Sequence, residues 1–273
     1  MKPDRSWDFL NLSLDIGSDV SLDIIIDIAL NICLNINLDG KDDWMLTVDK
    51  QLTRDKFLDL IPPGTSLMIG GFLAVGTPET LIDWLVEENR GELTLIANDT
   101  GFPDKGIGRL VAKSLIKDGI VTHCGTNPLA GDQFNRGTLK LELCPQGTLI
   151  ERIHAGGAGL GGVLSQTGLG TVVEQAAEKV VLNGQEYLYH TPLRAKVALI
   201  KAWRSDEQGN LRYRLTARNF NPELAFAADI VIAEVEELVP IGSMHPDDIM
   251  TPGILVDYIY CPKTAQEAKE GKV

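Results

Sequence analysis

The sequence SLMIGGFLAVGTPETLIDWLV, residues 66–86, contains a strand, a glycine-rich loop and a helix in direct succession. Its first four residues form a mainly apolar strand that runs into two glycines, and a third glycine precedes Thr77 and Pro78. Thr77 can cap a helix that has Pro78 at its first position. The apolar residues of that helix recur at helical spacing and form one buried face: Leu81, Ile82, Leu85 and Val86.

The alternation of strand and helix continues on both sides of this unit. Helices are predicted from Thr53 to Leu60 and from Ile107 to Ile116. Strands that alternate with helices of this length predict an α/β fold, with an open, mainly parallel sheet and helices on both of its faces. Short apolar runs place the other strands of this sheet at residues 92–97, 120–124, 139–143 and 197–202.

Two β-hairpins are predicted as additions to the parallel sheet. The pair Asn183-Gly184 stands between two short apolar runs, and this dipeptide is typical of a type I′ turn. Gln208-Gly209-Asn210 stands in the same position after strand 197–203. Both segments therefore interrupt the strand–helix alternation with antiparallel pairs.

The composition excludes several classes of protein. The chain has 273 residues and a formal net charge of −13, which argues against a nucleic-acid partner because such binding depends on clustered Lys and Arg. No stretch supplies the about 20 consecutive apolar residues of a membrane helix. The four cysteines are far apart and form no CxxC pair, so we expect no metal site, no disulfide framework and a cytoplasmic location. They are Cys33, Cys124, Cys144 and Cys261.

Residues 1–44 differ from the rest of the chain, because apolar residues occupy nearly every even position of their middle part. A period of two is typical of a strand, but the segment has no convincing tight turn. Three interpretations stay open: translated upstream repetitive DNA with the true start at Met45, a poorly ordered tail, or a functional extra hairpin. The predicted domain spans residues 45–262, preceded by this low-complexity extension and followed by a charged, flexible tail at 263–273.

The first candidate for chemistry is the loop Gly70-Gly71-Phe72-Leu73-Ala74-Val75-Gly76. Glycines let the backbone approach a ligand closely, and free amides at a helix start favour an anion. The pattern lacks the Lys-Ser/Thr of a Walker loop and the GxGxxG spacing of dinucleotide sites. The alternative is a tight strand-to-helix turn that binds no ligand.

A second glycine-rich segment, residues 156–162, has five glycines in seven residues and is predicted to be a loop. It can be a mobile flap over a site or a simple connector. Its Gly157-x-Gly159-x-x-Gly162 spacing matches the dinucleotide fingerprint. However, the run follows a helix-like stretch and opens no helix, so the context that the fingerprint requires is missing.

Gln146 is a candidate ligand for a carboxylate. It follows the predicted strand 139–143, and sites in α/β proteins gather at the ends of parallel strands. Its neutral amide can donate a hydrogen bond to a carboxylate without adding a charge. The alternative is a structural glutamine that caps the next helix.

The remaining acid, base and nucleophile candidates are weaker. His123 and His154 could each act as a base, but no Ser or Cys stands in a nucleophile motif such as GxSxG. Cys124 and Cys144 lie at the ends of apolar strands and are interpreted as buried packing residues. An acidic run along a later strand is interpreted as a solvated edge: Asp229, Glu234, Glu236 and Glu237.

Seven segments carry a more specific pattern when they are taken in order. They are GGFLAVGTP (70–78), LTLIANDTGFPDKGIGRL (93–110), HCGTNP (123–128), PQGTLIERIHAGGAGLGG (145–162), TGLGTVVE (167–174), ARNFNPELAFAADI (217–230) and MHPDDIMTPGILVD (244–257). Together they resemble the α subunit of family I CoA-transferases of the acetate/acetoacetate, short-chain fatty acid type. The family signature usually opens with Asp or Asn before a glycine, whereas Pro63 precedes Gly64 here, at a position that shapes a turn.

The resemblance implies an enzyme that moves CoA between a short-chain acyl-CoA, such as acetoacetyl-CoA or butyryl-CoA, and a free carboxylate such as acetate. In this family a glutamate attacks the thioester, and in two-subunit members that glutamate belongs to the β subunit. This chain contains no matching Glu-Asn-Gly type motif. The resemblance therefore implies a β-subunit partner, in an α2β2 assembly, with CoA as a substrate and no permanently bound cofactor or metal.

The resemblance also implies roles for residues of this chain. The Gly70–Gly76 loop is expected to bind CoA, Gln146 to hold the substrate carboxylate, and the Gly156–Gly162 run to border the site. The closest alternative is the α subunit of a succinyl-CoA:3-oxoacid or 3-oxoadipate CoA-transferase. From other classes, a dinucleotide-binding oxidoreductase and a non-catalytic scaffold stay open.

Overall fold

The computed structural model describes residues 49–264. The predictions for residues 1–44 and for nearly all of the tail at 263–273 lie outside the described residues and stay predictions. Within the described range, no helix is both long and apolar enough to span a membrane.

Helices and strands alternate through most of the described chain. The helices are α1 (Arg54–Leu60), α2 (Glu79–Glu87), α3 (Gly108–Ala112), α4 (Pro128–Asn135), α5 (Gln146–Gly157) and α6 (Asn221–Leu224). The strands are β1 (Ser66–Ile69), β2 (Leu93–Ile96), β3 (Ile116–Val121), β4 (Lys140–Leu143), β5 (Val163–Ser165), β6 (Glu178–Leu182), β7 (Gln185–His190), β8 (Ala195–Asp206), β9 (Leu211–Arg212), β10 (Ala228–Val239) and β11 (Tyr258–Tyr260). The α/β fold class is confirmed.

The main sheet has the strand order β11-β10-β8-β1-β2-β3-β4, and neighbours along this path are parallel. The chain first adds β2, β3 and β4 on one side of β1, and it later adds β8, β10 and β11 on the other side. The strand order therefore reverses at β1. In open parallel sheets, ligands bind beyond the carboxyl ends of the strands at such a switch point.

Helices cover both faces of the sheet, as predicted. Leu67 and Ile69 of β1 pack on one face with apolar residues of α1, α2, α3 and α4. Met68 points to the opposite face, where it packs with α5 and α6. Neighbouring β8 follows the same alternation. Because both faces of these strands are buried, their sequences are nearly continuous apolar runs.

Both predicted hairpins are confirmed. β6 and β7 pair antiparallel with Leu182 opposite Gln185, so the turn has two residues. Asn183 and Gly184 have φ values of 51° and 76°, as a type I′ turn requires. β9 pairs antiparallel with β8 but spans only two residues. β5, β7 and β6 form a separate three-stranded sheet.

Two local predictions were wrong. The helix expected from Ile107 to Ile116 ends at Ala112, because Ser114 adopts φ of 55° and the Leu115 N–H closes the helix end onto the Leu110 carbonyl at 3.0 Å. Ile116 then begins β3.

The glycine run also differs from the predicted loop, since Gly156 and Gly157 form the last turn of α5. A Cβ on Gly156 would lie 1.9 Å from the Leu193 carbonyl oxygen, and one on Gly157 would lie 2.7 Å from Phe226 Cβ. These two glycines therefore allow close packing of a helix rather than mobility. Gly159, with φ of 69°, ends the helix.

The start of helix α2 is built around a buried carboxylate. Pro78 occupies the N-cap position and provides no side-chain cap. Instead the N–H groups of Thr80 and Leu81 donate to Glu234 Oε2, at 2.8 and 3.1 Å. Lys201 Nζ donates to the other oxygen of Glu234 at 3.0 Å. One carboxylate thus joins β10, β8 and α2.

Two predictions fail at this point of the fold. Thr77 does not cap α2, because the cap position belongs to Pro78. The acidic run is not a solvated edge at Glu234, which is only 2% exposed. The reason is that β10 is an inner strand, between β8 and β11, so its carboxylate faces the interior.

The first described residues bind to residues 253–259, near the other end of the described range. Lys50 Nζ donates to the carbonyl oxygens of Gly253 and Val256, at 2.7 and 2.6 Å. The Leu52 N–H donates to the Ile259 carbonyl at 2.9 Å, and the Leu52 side chain is buried. The packed domain therefore includes the chain from about Lys50 onward.

We predict that replacement of Glu234 destabilises the fold. Glu234→Leu leaves Lys201 unpaired and two helix N–H groups without an acceptor, so the free energy of unfolding should fall by about 3–5 kcal/mol. Glu234→Gln keeps one acceptor oxygen and should lower it by about 1–3 kcal/mol. Denaturant unfolding of both variants measures the two losses.

Glu237→Gln is the matched control on the same strand. Glu237 pairs with Arg204 at 2.7 Å, but both side chains are partly exposed to solvent, so the loss of this pair should cost at most about 1 kcal/mol. If Glu234→Leu is as stable as this control, the buried carboxylate does not hold the three elements together.

We also predict that a chain that begins at Met45 folds and has the unfolding midpoint of the full chain. A chain that begins at Thr53 lacks the Lys50 and Leu52 contacts, so its free energy of unfolding should be lower by about 2–4 kcal/mol. Thermal unfolding compares the three chains. Aggregation or loss of structure in the Met45 chain would show that residues 1–44 belong to the domain.

Candidate active site

A cavity of about 350 Å³ lies beyond the carboxyl ends of the parallel strands. Phe72 from the loop after β1, Phe220 from the segment before α6, and one face of α5 form its apolar walls. Its polar side chains are three amides, Asn98, Gln146 and Asn219. A cavity of this volume lies within the range of small-molecule sites.

The Gly70–Gly76 loop forms a tight turn at the mouth of this cavity. Phe72 and Val75 exchange both backbone hydrogen bonds, each at 2.9 Å. Leu73 and Ala74 between them have φ values of 48° and 66°, in the left-handed region. Non-glycine residues adopt this conformation at an energetic cost, so the surrounding structure must stabilise the turn. The turn presents the exposed side chains of Phe72 and Val75.

Asp99 provides part of that stabilisation. Its Oδ2 accepts a hydrogen bond from the Leu73 N–H at 2.9 Å, at the tip of the turn. The same oxygen accepts from Asn98 Nδ2 at 2.9 Å, and Oδ1 accepts from the Gly101 N–H at 2.7 Å. Because Asp99 is only 3% exposed, these bonds form in a buried environment where they are strong.

Asn98 continues this network to Gln146. Gln146 is the first residue of α5, and its Nε2 donates to Asn98 Oδ1 at 2.8 Å. A single chain of hydrogen bonds therefore joins the turn, through Asp99 and Asn98, to Gln146. Among residues 49–264 nothing else bonds to the Gln146 amide, so its second N–H is available to a ligand.

Two asparagines fix the turn from the opposite side. Asn219 Nδ2 donates to the Val75 carbonyl and Asn221 Nδ2 to the Gly76 carbonyl, both at 3.0 Å. Asn221 also explains the first glycine of the loop, because a Cβ on Gly70 would lie 1.7 Å from Asn221 Oδ1. The glycine at this position makes room for the asparagine.

The structure brings the two predicted site elements together, the Gly70–Gly76 loop and Gln146. Of the seven loop residues, Phe72 lines the cavity. The sequence predicted free amides at the start of the helix that follows the loop. In the structure, the N–H groups of Thr80 and Leu81 are already bonded to Glu234. The anion at this helix start is the protein's own carboxylate.

Gln146 does not cap α5 with its side chain, since that side chain bonds to Asn98.

His154 lies at the surface beside Glu151, at 3.4 Å, and neither His154 nor the half-buried His123 lines the cavity. Cys144 is buried as predicted, and Cys124 is half-buried against the core. None of the glycines at 156–162 lines the cavity.

The cavity walls carry no ionisable side chain among residues 49–264. The arrangement can therefore position a ligand through amide hydrogen bonds and apolar contacts. It cannot by itself supply a carboxylate nucleophile or a general base from those walls.

Four polar residues of the site had no predicted role: Asn98, Asp99, Asn219 and Asn221. The sequence signal for them was present in the segments IANDT (96–100) and ARNFN (217–221), which contributed only to the family resemblance. Each bonds to a residue far away in sequence, so no local pattern indicated its partner.

Comparisons with known proteins agree with one another. The family model described as coenzyme A transferase matches residues 53–261. The chain is 50% identical over 206 residues to the alpha subunit of the acetate CoA-transferase of Escherichia coli K12, and the match covers 76% of this chain and 92% of that protein. It is also 50% identical over 196 residues to the acetoacetyl-CoA:acetate/butyrate CoA transferase alpha subunit of Clostridium acetobutylicum, with 72% and 90% covered.

More distant similarity extends to a neighbouring activity and to solved structures. The chain is 43% identical over 206 residues to one subunit of a succinyl-CoA:3-ketoacid coenzyme A transferase of Helicobacter pylori, with 76% and 89% covered. An acyl-CoA transferase of Escherichia coli O157:H7 shares the fold with a TM-score of 0.72 at 23% identity, over 80% of this chain and 48% of that one. Glutaconate coenzyme A-transferase of Acidaminococcus fermentans has a TM-score of 0.67 at 18% identity, over 80% and 77%.

Proposed function

The chain belongs to the coenzyme A transferase family, and from this membership we propose that it is the α subunit of an enzyme that moves CoA from a short-chain acyl-CoA to a free carboxylate such as acetate. The donor is acetoacetyl-CoA or butyryl-CoA. CoA enters as a substrate, and the partner is a β subunit in a cytoplasmic α2β2 assembly. The observation that carries the proposal is the amide-lined, uncharged cavity beside the Gly70–Gly76 turn in a chain 50% identical to acetate-utilising α subunits.

The exchange needs a nucleophile that the cavity walls do not provide. In this family a glutamate carboxylate attacks the thioester carbonyl, CoA leaves as the thiolate, and an acyl–glutamyl anhydride forms. The thiolate then attacks the glutamyl carbonyl, and the donor carboxylate leaves. The acceptor carboxylate next attacks the glutamyl–CoA thioester, which forms a new anhydride and releases the CoA thiolate. The thiolate then attacks the acyl carbonyl of this anhydride, so the new acyl-CoA forms and the glutamate is regenerated. The absence of ionisable side chains from the described cavity walls supports a nucleophile on the β subunit.

We assign Gln146 to the substrate carboxylate. One N–H of its amide is bonded to Asn98, which orients the group and leaves the second N–H to donate to a carboxylate oxygen. Gln146 is exposed in the structure, and a substrate that fills the cavity would cover this bond together with Phe72, Leu149 and Phe220. Asn98 and Asp99 act through Gln146 and the turn, so they are positioning residues.

We assign the Gly70–Gly76 turn to CoA. The turn is held by Asp99 on one side and by Asn219 and Asn221 on the other, so its apolar tip has a fixed place at the mouth of the cavity. Phe72 and Val75 there can pack against the pantetheine arm while the thioester reaches Gln146. A preorganised turn avoids the entropy loss of ordering a loop when the substrate binds.

A succinyl-CoA:3-oxoacid transferase is the second candidate, because relatives with that name are 42–44% identical to this chain. Succinyl-CoA brings an additional carboxylate into the site, and a buried charge needs a partner. No cation stands among the described cavity walls, which favours acetoacetyl-CoA or butyryl-CoA as donor. The dinucleotide-binding alternative loses its support, because Gly157 ends a helix instead of opening one.

The test of the proposed function is acetate-dependent loss of acetoacetyl-CoA. We expect activity when this chain is co-expressed with its β partner and none from this chain alone. Mass spectrometry of the complex after addition of acetoacetyl-CoA should find the CoA adduct on the β chain. An adduct on this chain contradicts the placement of the nucleophile, and turnover with succinyl-CoA but not acetoacetyl-CoA favours the second candidate.

Gln146→Ala should slow transfer about 10–100-fold, since it removes one hydrogen bond to a charged substrate in an apolar cavity. Co-purification with the β subunit should not change, because the side chain is not part of the core. Gln185→Ala, at an exposed glutamine of the β6–β7 hairpin, is the matched control and should keep full turnover. Equal turnover in the two variants removes Gln146 from the site.

A further inference from the structure

A second cleft, of about 710 Å³, lies on the other side of the β4–α5 junction. It is bounded by β4, by the segment that precedes β6, and by the end of β7. Its lining residues and those of the 350 Å³ cavity have no member in common. Helix α5 separates the two, because Gln146 and Leu149 face the first cavity and Arg152 faces the second.

The second cleft contains a buried cation. Arg152 is only 6% exposed, and its Nε donates to the Thr191 carbonyl at 2.9 Å, which fixes the guanidinium in place. Its Nη1 donates to Glu142 Oε1 and, at 3.6 Å, to Cys144 Sγ. A buried guanidinium requires an anionic partner, and here that partner is a carboxylate of the same chain.

Glu142 differs from Arg152 in its freedom to move. Its side chain is 53% exposed and stands on β4, the last strand of the main sheet. The carboxylate can therefore rotate into solvent, whereas Arg152 cannot leave the cleft and needs another anion when Glu142 moves away. A carboxylate from elsewhere could replace Glu142 on Arg152, because it would supply the same negative charge.

His190 provides a second polar group in the same cleft. It is about nine-tenths buried, and its Nε2 has no hydrogen-bond partner within residues 49–264. Burial and the nearby charge of Arg152 lower the pKa of the ring, so it is neutral at pH 7 and offers one N–H. This unpaired buried ring nitrogen leaves a hydrogen-bonding position that a ligand atom can fill.

Most of the remaining cleft wall is apolar, although Glu178, Tyr189 and Thr191 also line it. Leu141 and Leu143 on β4, Phe134 at the end of α4, and Val172 and Val173 before β6 all line it. A ligand that satisfies both parts of the cleft therefore has a carboxylate at one end and a hydrocarbon chain at the other.

We propose that this second cleft binds an aliphatic monocarboxylate, whose carboxylate displaces Glu142 from Arg152 and accepts a hydrogen bond from His190 while its chain lies along the apolar wall. The site is separate from the proposed transferase cavity and does not depend on the transferase activity. Cys144 and Pro145, which line the cleft, directly precede Gln146, so an occupied cleft touches the segment that positions Gln146.

The test is calorimetric titration of octanoate, butyrate and acetate into the full-length chain in complex with its β partner. Affinity should rise by about fourfold for each methylene group that the apolar wall covers, so octanoate should bind most tightly. A dissociation constant that does not change from acetate to octanoate overturns the proposal, as does a failure of octanoate to bind.

Three variants separate this cleft from the first cavity. Glu142→Ala removes the competing carboxylate and should tighten octanoate binding roughly tenfold, the equivalent of one charge-assisted hydrogen bond. His190→Phe keeps the ring size and should weaken binding roughly tenfold, while Gln146→Ala should leave the dissociation constant unchanged. Unchanged binding in Glu142→Ala, or loss of binding in Gln146→Ala, places octanoate in the first cavity and overturns the proposal.

Discussion

The carboxylate of Glu234 is the contact on which the geometry of the site depends. It accepts hydrogen bonds from the N–H groups of the second and third residues of α2 and from the ammonium group of Lys201, so one buried anion fixes a helix against two central strands. The loop that precedes α2 starts at β1 and must end where this helix begins. Within this loop, Gly70 and Gly71 are required because Asn221 and Thr77 occupy the space where their Cβ atoms would stand.

An internal anion at the helix start has a consequence for the chemistry. The amides that attract phosphate in many α/β proteins are occupied here, so the strand-to-helix loop serves as a shaped turn rather than an anion cradle. The ligand meets amide side chains and apolar walls instead. Such a cavity can orient a carboxylate and exclude water, but the covalent steps need a group from outside the described walls. The division of one reaction between two chains is consistent with this chemistry.

The fold was largely predictable from the sequence because its signals are local. Apolar runs indicated the strands, and Asn183-Gly184 fixed a hairpin by backbone preference alone. The polar network was not predictable in the same way. Gln146 and Asn98 are 48 residues apart, Asn221 and Gly76 are 145 apart, and Glu234 and Thr80 are 154 apart. Within the run 229–237, Glu234 looks solvated until the sheet order shows that it lies between β8 and β11, whereas Asp229 and Glu236 are exposed.

Helix α5 contributes lining residues to both clefts. A 3.6-residue period places Gln146, Leu149 and Ile153 on one face and Arg152 on another. The glycines at its end remove the side chains that would hold the helix away from Leu193 and Phe226. The end of the helix is therefore closely packed, and its first residue carries an amide that lines the first cavity. A ligand on the Arg152 side and a ligand on the Gln146 side would contact the same helix. A small shift of α5 would therefore move lining residues of both clefts.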